Sequence, residues 1–281
     1  MSEDFKLYEG GRFIAAGGKH HLHLNGHINF IVGNEPVDAA GFKDFSKFLN
    51  KVKEVAGKQH KLINDEYIEL RDRGMAAENV KEVRDGLGDI IVTLDGLLYR
   101  LDIPYTNIFA PALLPLDFEV LNKQRRATIS NLSNRLHFLE MALRTLNERL
   151  LDSNYGDHQG YLRTVANTAE VIYAQVYALA YDLGVDIAAD QRSIYASNLT
   201  KFDTDETVAQ QGLAKYEAMG VAAALFPKEV DGVVYYVIKS TEDREVDGRP
   251  FPAGKFLKSV LFQEPVLDDL REGALLSTLF A

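Results

Sequence analysis

The stretch that most limits what this chain can fold into runs from Leu62 to Leu101, where two helical patterns each carry acids on one stripe. The first, LINDEYIELRD, sets Glu66 and Glu69 at i and i+3. After the break RGMAAEN, the second, VKEVRDGLGDIIVTLDGLLYRL, sets Glu82, Asp85 and Asp89 at i, i+3 and i+7. At about 100° per residue each set falls along one helix face. Like charges on one stripe repel, which costs stability until a cation or water relieves it. Carboxylate oxygens converging from two antiparallel helices suit Mg2+ or Mn2+, which take carboxylates together with waters and phosphate oxygens.

The neighbours of these acids sharpen the expectation. Leu62, Ile63 and Leu70 project within about 60° of Glu66, so its carboxylate is flanked by apolar side chains. On the second helix Ile90, Ile91, Leu94, Leu97, Leu98 and Leu101 form a broad apolar stripe, with the acids to one side of it. Gly86 and Gly88 each cost roughly 1 kcal/mol relative to Ala inside a helix. That cost predicts something approaching the backbone closely there. A solvated acidic face with a loose helix start is the plainer alternative; the mixed face of the first helix favours a metal site.

Composition narrows the partners. At 281 residues the chain can build two packed units or one large core, and 46% hydrophobic content is ordinary for a globular protein. A net charge of −10 offers no basic footprint for a nucleic-acid polymer. It does not exclude a nucleotide, because a bound divalent cation reverses the local field. Apolar runs such as IIVTLDGLLYRL are interrupted by charge, so no membrane span is expected. MSEDFKLYEGG lacks a secretory pattern and cysteine is absent, so the expected address is cytoplasmic, without disulfides or thiolate metal sites.

Taken in order, residues 1–38 read as a β-hairpin segment, with Asn25-Gly26 as its turn signal. His20, His21, His23 and His27 lie in it, and no further ligand cluster turns them into a zinc site. From residue 39 the period becomes helical: Phe42, Phe45, Phe48, Leu49, Val52 and Val55 predict an amphipathic helix that Gly57 ends. The acid-bearing pair follows, completing a unit over 39–103. Pro104, Pro111 and Pro115 mark a linker over 104–117. A second helical block over 118–202 closes with AEVIYAQVYALAYDLGVD, which echoes DIIVTLDGLLYRLDIP in length and apolar spacing. In that alignment Thr164, Asn167 and Val171 stand opposite Glu82, Asp85 and Asp89, so the second copy lacks the acids. Glu140 and Glu148 remain without matching partners. In residues 203–281, VVYYVIKS and FLKSVLFQ alternate around a Gly- and Pro-rich turn and predict a second β-hairpin.

DEYIEL followed by EVRDGLGDIIVTLDGLLYRLDIP resembles the MazG-type, all-α nucleotide pyrophosphohydrolases, whose signature is EExxE on one helix and ExxD on the next. Asp65 and Glu66 with Glu69 match the first half, Asp65 standing where the family carries Glu. Glu82 with Asp85 matches the second half, and Asp89 a further acid found in many members. The run SNLTK at 197–201 is similar to the S-N-M-S-K run of the same relatives, and GKFLKS with FQEP to their final segment.

The resemblance implies a mainly α fold: tandem, pseudo-dimeric MazG-like helical bundles with small β-hairpins near both termini. It implies hydrolysis of a nucleoside or deoxynucleoside triphosphate to monophosphate and pyrophosphate. Glu66, Glu69, Glu82, Asp85 and Asp89 would hold Mg2+ (or Mn2+), Asp65 or Glu66 would place the attacking water, and Asn198, Lys201, Lys255 and Lys258 would contact the nucleotide. Members pair their subunits, so either a homodimer or a pairing made internal by the repeat is expected. Phosphoribosyl-ATP pyrophosphohydrolase is a second enzymatic reading, and a non-catalytic nucleotide sensor a reading of another class.

Overall fold

The computed structural model describes residues 4–9, 12–17, 21–103, 129–152 and 154–267. The chain is mainly helical. Seven α-helices are found among the described residues: α1 His21–Ile31, α2 Phe45–Glu69, α3 Val80–Arg100, α4 Ile129–Leu151, α5 His158–Leu183, α6 Ile187–Leu199 and α7 Glu206–Ala218. The strands are β1 Asp4–Glu9, β2 Arg12–Gly17, β3 Ala223–Val230, β4 Val233–Ser240, β5 Arg244–Val246, β6 Arg249–Phe251 and β7 Phe256–Leu257. The chain divides into two compact units. One comprises Met1–Gly26, Glu35–Arg192 and Val266–Ala281; the other comprises His27–Asn34 and Ser193–Pro265. The expected linker over 104–117 lies outside the described residues, as does the start of the second helical block.

In the first unit α2 packs on α3 and α4, while α5 packs on α4 and α3. One continuous apolar core fills the space between them, reaching from Val37 to Ile187. The expected apolar stripe of α3 is its centre: Ile90, Ile91, Leu94, Leu97, Leu98 and Leu101 are all fully buried. Side-chain caps set the helix starts. Asp44 accepts from the Ser46 amide at 2.8 Å to begin α2, and Asn79 accepts from Lys81 and Glu82 amides at 3.1 and 3.3 Å to begin α3. α5 ends on Gly184, whose φ of 75° is the left-handed C-cap conformation that glycine adopts without strain.

Two expectations about helices need correction. Asn25-Gly26 is not a hairpin turn but lies inside α1. Leu24, Ile28 and Ile31 recur at i, i+4 and i+7 and are all buried, so helical burial outweighs the local turn preference. Nor does Gly57 end a helix: α2 runs through it without interruption for 25 residues. Gly57 is exposed and an added Cβ would meet nothing within 4 Å, so the residue disturbs neither packing nor hydrogen bonding. Gly57→Ala is therefore expected to stabilise the first unit by about 0.5–1 kcal/mol, read as a raised denaturant midpoint with unchanged slope. A lowered midpoint would contradict a continuous helix at this point.

In the second unit β3 and β4 pair in full register, Ala223 with Ser240 through Val230 with Val233, while β7 adds two residues to the far side of β4. VVYYVIKS thus pairs chiefly with the strand before it, not with FLKSVLFQ as expected. The Asp231-Gly232 turn has φ of 52° and 79°, the two positive values that a tight hairpin of the right twist requires. α7 covers β3 and β4, close enough at Gly212 that an added Cβ would stand 2.7 Å from Ile238 Cδ1. The small core here is Tyr216, Val221, Ile238, Phe251 and Leu257. Separately, β1 and β2 form an antiparallel pair, Asp4 opposite Gly17.

Candidate functional site

The acid-bearing end of α2 does not stop cleanly. Leu70–Met75 form a π-helical turn, with the Ala76 amide donating to Arg71 O at 2.8 Å and the Asn79 amide to Gly74 O at 2.9 Å. Such turns widen a helix locally and recur at functional sites. Here the turn lies against the start of α3 at backbone distance. A Cβ on Gly86 would sit 2.9 Å from Leu70 Cβ and 3.0 Å from Leu70 Cα. A Cβ on Gly74 would sit 3.0 Å from Val83 Cα. What approaches Gly86 is therefore the end of α2 itself. Because Glu69 precedes Leu70 and Asp85 precedes Gly86, the two acid-bearing segments meet at this contact.

The acids differ in setting. α3 is buried over most of its circumference, and Glu82, Asp85 and Asp89, continued by Val92, form its half-exposed stripe. Glu82 is also in the first turn, where an acid is favoured by the helix dipole regardless of any ligand. Asp85 and Asp89 have no such explanation. On α2, Glu66 is half-buried beside fully buried Ile63 and Leu70, while Leu62 is exposed. Glu69 pairs with Arg73 at 3.2 Å, its side chain 44% exposed. Asp65 is exposed. Among the described residues no three His, Cys, Asp or Glu side chains gather closely enough to enclose a metal ion. Magnesium seldom uses such a cage; it takes one or two carboxylates and completes its octahedron with water and phosphate oxygens.

Of the basic residues singled out in the sequence, two are brought together within the second unit. Lys258 Nζ lies 3.8 Å from the Phe262 ring centroid and Lys201 Nζ lies 5.9 Å from it. The segments carrying them are stitched side by side: the Ser259 amide donates to Lys201 O at 3.2 Å, and Ser197 Oγ to Gln263 O at 2.7 Å. Ser259 Oγ donates to buried Asp203 at 2.6 Å. Lys258 also pairs with Glu264 at 3.1 Å. Asn198 is buried, one turn before Lys201. Lys255 is engaged separately, its Nζ on Pro250 O at 3.2 Å and near the Phe251 ring. Phe262, four residues after Lys258, joins this cluster through its ring, which no sequence motif marks.

His27 is the one N-terminal histidine whose side chain is described. Its Nδ1 is 2.7 Å from Tyr195 Oη, and burial holds its pKa below the ordinary 6.5, as a packed neutral imidazole would be. A cleft of about 410 Å3 opens between α2 and α4, lined among others by His60, Asn64, Tyr67, Arg71, Glu140 and Arg144. None of the acids at 65–89 lines it. By helical phase the cleft residues of α2 lie about 140° around the helix from Glu66.

The polar core of the first unit was missed. Asp95, buried inside the apolar run of α3, accepts from Asn25 Nδ2 at 2.7 Å and from Tyr173 Oη. Gln191 Nε2 donates to Gly88 O at 2.9 Å, and Arg84 is clasped by Asp190. A lone acid in an otherwise apolar helical run was the available signal. No protein-family model, curated protein or solved structure matches this chain. Among the described residues no single helix is long and apolar enough to cross a membrane.

Proposed function

We propose that the chain is a Mg2+-dependent nucleotide pyrophosphohydrolase that cleaves a nucleoside or deoxynucleoside triphosphate to the monophosphate and pyrophosphate. The observation that carries this reading is the backbone contact of Leu70 with Gly86, which brings the EYIE end of α2 against the segment of α3 that carries Glu82 and Asp85. Two patterns matched only in sequence are thereby adjacent in space. Glu66, Glu69, Glu82, Asp85 and Asp89 would hold the cation, which supplies charge neutralisation to the phosphate oxygens. Glu66, sheltered at the edge of the core, is better suited than exposed Asp65 to orient a water and accept its proton. The water oxygen bonds to the α-phosphorus as the bridging bond to the β-phosphate breaks, and pyrophosphate leaves.

The fused-repeat reading belongs to the same proposal. The pairs α2/α3 and α4/α5 share a single core, as expected if the pairing of family subunits had become internal. Asn167 and Val171, aligned with Asp85 and Asp89, are exposed on α5 without acids, so one half carries the chemistry.

The test is release of pyrophosphate from a panel of NTPs and dNTPs, with Mg2+ and with chelator. Magnesium-dependent release from at least one nucleotide is expected. Binding of a nucleotide without turnover would replace the enzyme by a sensor, and neither would remove the reading.

A further inference from the structure

α2 and α3 close on apolar side chains, but α2 and α4 part to leave the cleft of about 410 Å3. The reason lies in the sequence, because each helix turns a polar stripe toward the other. His60, Asn64 and Arg71 recur at i, i+4 and i+11 on α2, and Glu140, Arg144 and Asn147 at i, i+4 and i+7 on α4. Two tethers bracket the gap. Tyr67 Oη donates to Leu136 O at 3.4 Å, and the His60 ring donates to the Leu143 carbonyl. Leu136 and Leu143 are two turns apart, about 10 Å along α4. The helices are thus tied together over the length of the cleft without filling it. Tyr67 and Leu143, buried in the core, give it an apolar floor, and the exposed Ile68 and Met141 extend that surface outward.

The polar groups divide into committed and free. Arg71 is held by Asp72 at 2.7 and 2.9 Å and lies 6.0 Å from the Tyr67 ring centroid, with Glu140 within electrostatic reach. Burial lowers the His60 pKa from the ordinary 6.5, so its ring adds no charge near neutrality. Arg144 is different. It stands four residues after Glu140, the spacing and order at which an acid and a base on one helix pair readily. Yet among the described residues its side chain has no ion-pair or hydrogen-bond partner, and neither have those of Asn64 and Asn147. A cleft of this volume with an apolar floor and a few uncommitted polar groups is the usual form of a small-molecule site. Charge decides the class of ligand. One free guanidinium matches a monocarboxylate, whose two oxygens take its fork of donors. A triphosphate would set several negative charges against that one, with Glu140 beside them, so the cleft does not suit a nucleotide.

We propose that the cleft between α2 and α4 binds a monocarboxylate with a planar apolar body. Arg144 takes the carboxylate, Asn64 and Asn147 bond polar substituents, and the ring lies against Tyr67, Ile68 and Met141. The assignment is independent of the acids at 65–89 and of any phosphate chemistry there. The experiment uses the full chain and fluorescent probes of one shape: 2-naphthoate, the neutral 2-naphthamide and 2-naphthyl phosphate. The chain contains no tryptophan, so probe emission is read directly, as anisotropy against protein concentration. 2-Naphthoate is expected to bind saturably with a Kd below about 1 mM, and 2-naphthamide about tenfold more weakly. Arg144→Gln should weaken 2-naphthoate about tenfold and leave 2-naphthamide unchanged. Its thermal unfolding should match that of the wild type, because the side chain is exposed. Arg149→Gln, also exposed on α4 but outside the cleft, removes the same charge and should keep wild-type affinity. Absence of saturable 2-naphthoate binding, or equal affinity for 2-naphthoate and 2-naphthamide, would overturn the site. Equal weakening in the two arginine variants would mean diffuse surface attraction and overturn it too. Tighter binding of 2-naphthyl phosphate than of 2-naphthoate would overturn the choice of a monocarboxylate.

Discussion

Asp85→Asn is expected to lower pyrophosphate release by about 10²–10³-fold while leaving the fold intact, the magnitude typical of removing one preorganised electrostatic contact. Asn is nearly isosteric with Asp, and position 85 is half-exposed, so no cavity forms. Turnover is read beside thermal unfolding, so that a loss caused by unfolding is told apart from the loss of the contact. Glu69→Gln should lose turnover similarly. Its ion pair with Arg73 is exposed on both sides, so the accompanying loss of stability is at most a few tenths of a kcal/mol. Wild-type rates in both variants would sink the assignment of these acids.

The parts of the fold legible in the sequence were those where one signal had no competitor. The apolar stripe of α3 recurs at three and four without interruption, and all six of its expected members are fully buried. Where two local signals disagreed, the weaker one misled. Asn25-Gly26 is a strong turn dipeptide, yet it lies between Leu24 and Ile28, whose burial requires a helix. Gly57 is a plausible stop, but Val52, Val55, Ala56 and Gln59 on either side keep a single buried face across it. Pro227 breaks the alternation of the strand before the Asp231-Gly232 turn, yet it sits in β3, which among the described residues pairs on one side and so tolerates a missing amide.

The candidate site was legible as chemistry but not as geometry. Spacing places Glu82, Asp85 and Asp89 on one face whatever the fold, whereas the meeting of Leu70 with Gly86 depends on a π-turn that no residue pattern announces. The glycine cost at 86 did point to a close backbone approach, although the partner is protein. The buried polar chain around Asp95 was invisible for a different reason. Its members, Asn25, Gly88, Asp95, Tyr173 and Gln191, come from four helices and have no mutual spacing.

Asp190→Asn should strongly destabilise the first unit. Asp190 and Arg84 are 1% and 7% exposed, and the pair is bidentate. Burial pushes the Asp190 carboxyl up from its ordinary range, and the Arg84 bond and charge only partly draw it back. Such a pair is therefore no great source of stability as a whole, because pairing does not repay the desolvation of both charges. Breaking it is another matter. Asn keeps the shape and one acceptor but leaves a buried guanidinium without its counter-charge, which costs about 3–5 kcal/mol. The expected readout is a clear drop in the denaturant midpoint of the first unit at pH 7. A second variant separates charge from packing. Replacing both partners with apolar residues of similar volume, Arg84→Met with Asp190→Leu, should recover most of that loss or all of it, since no charge is then buried. If Asp190→Asn costs less than about 1 kcal/mol, the typical worth of an exposed pair, the two side chains are solvated and α3 is not clasped at this point.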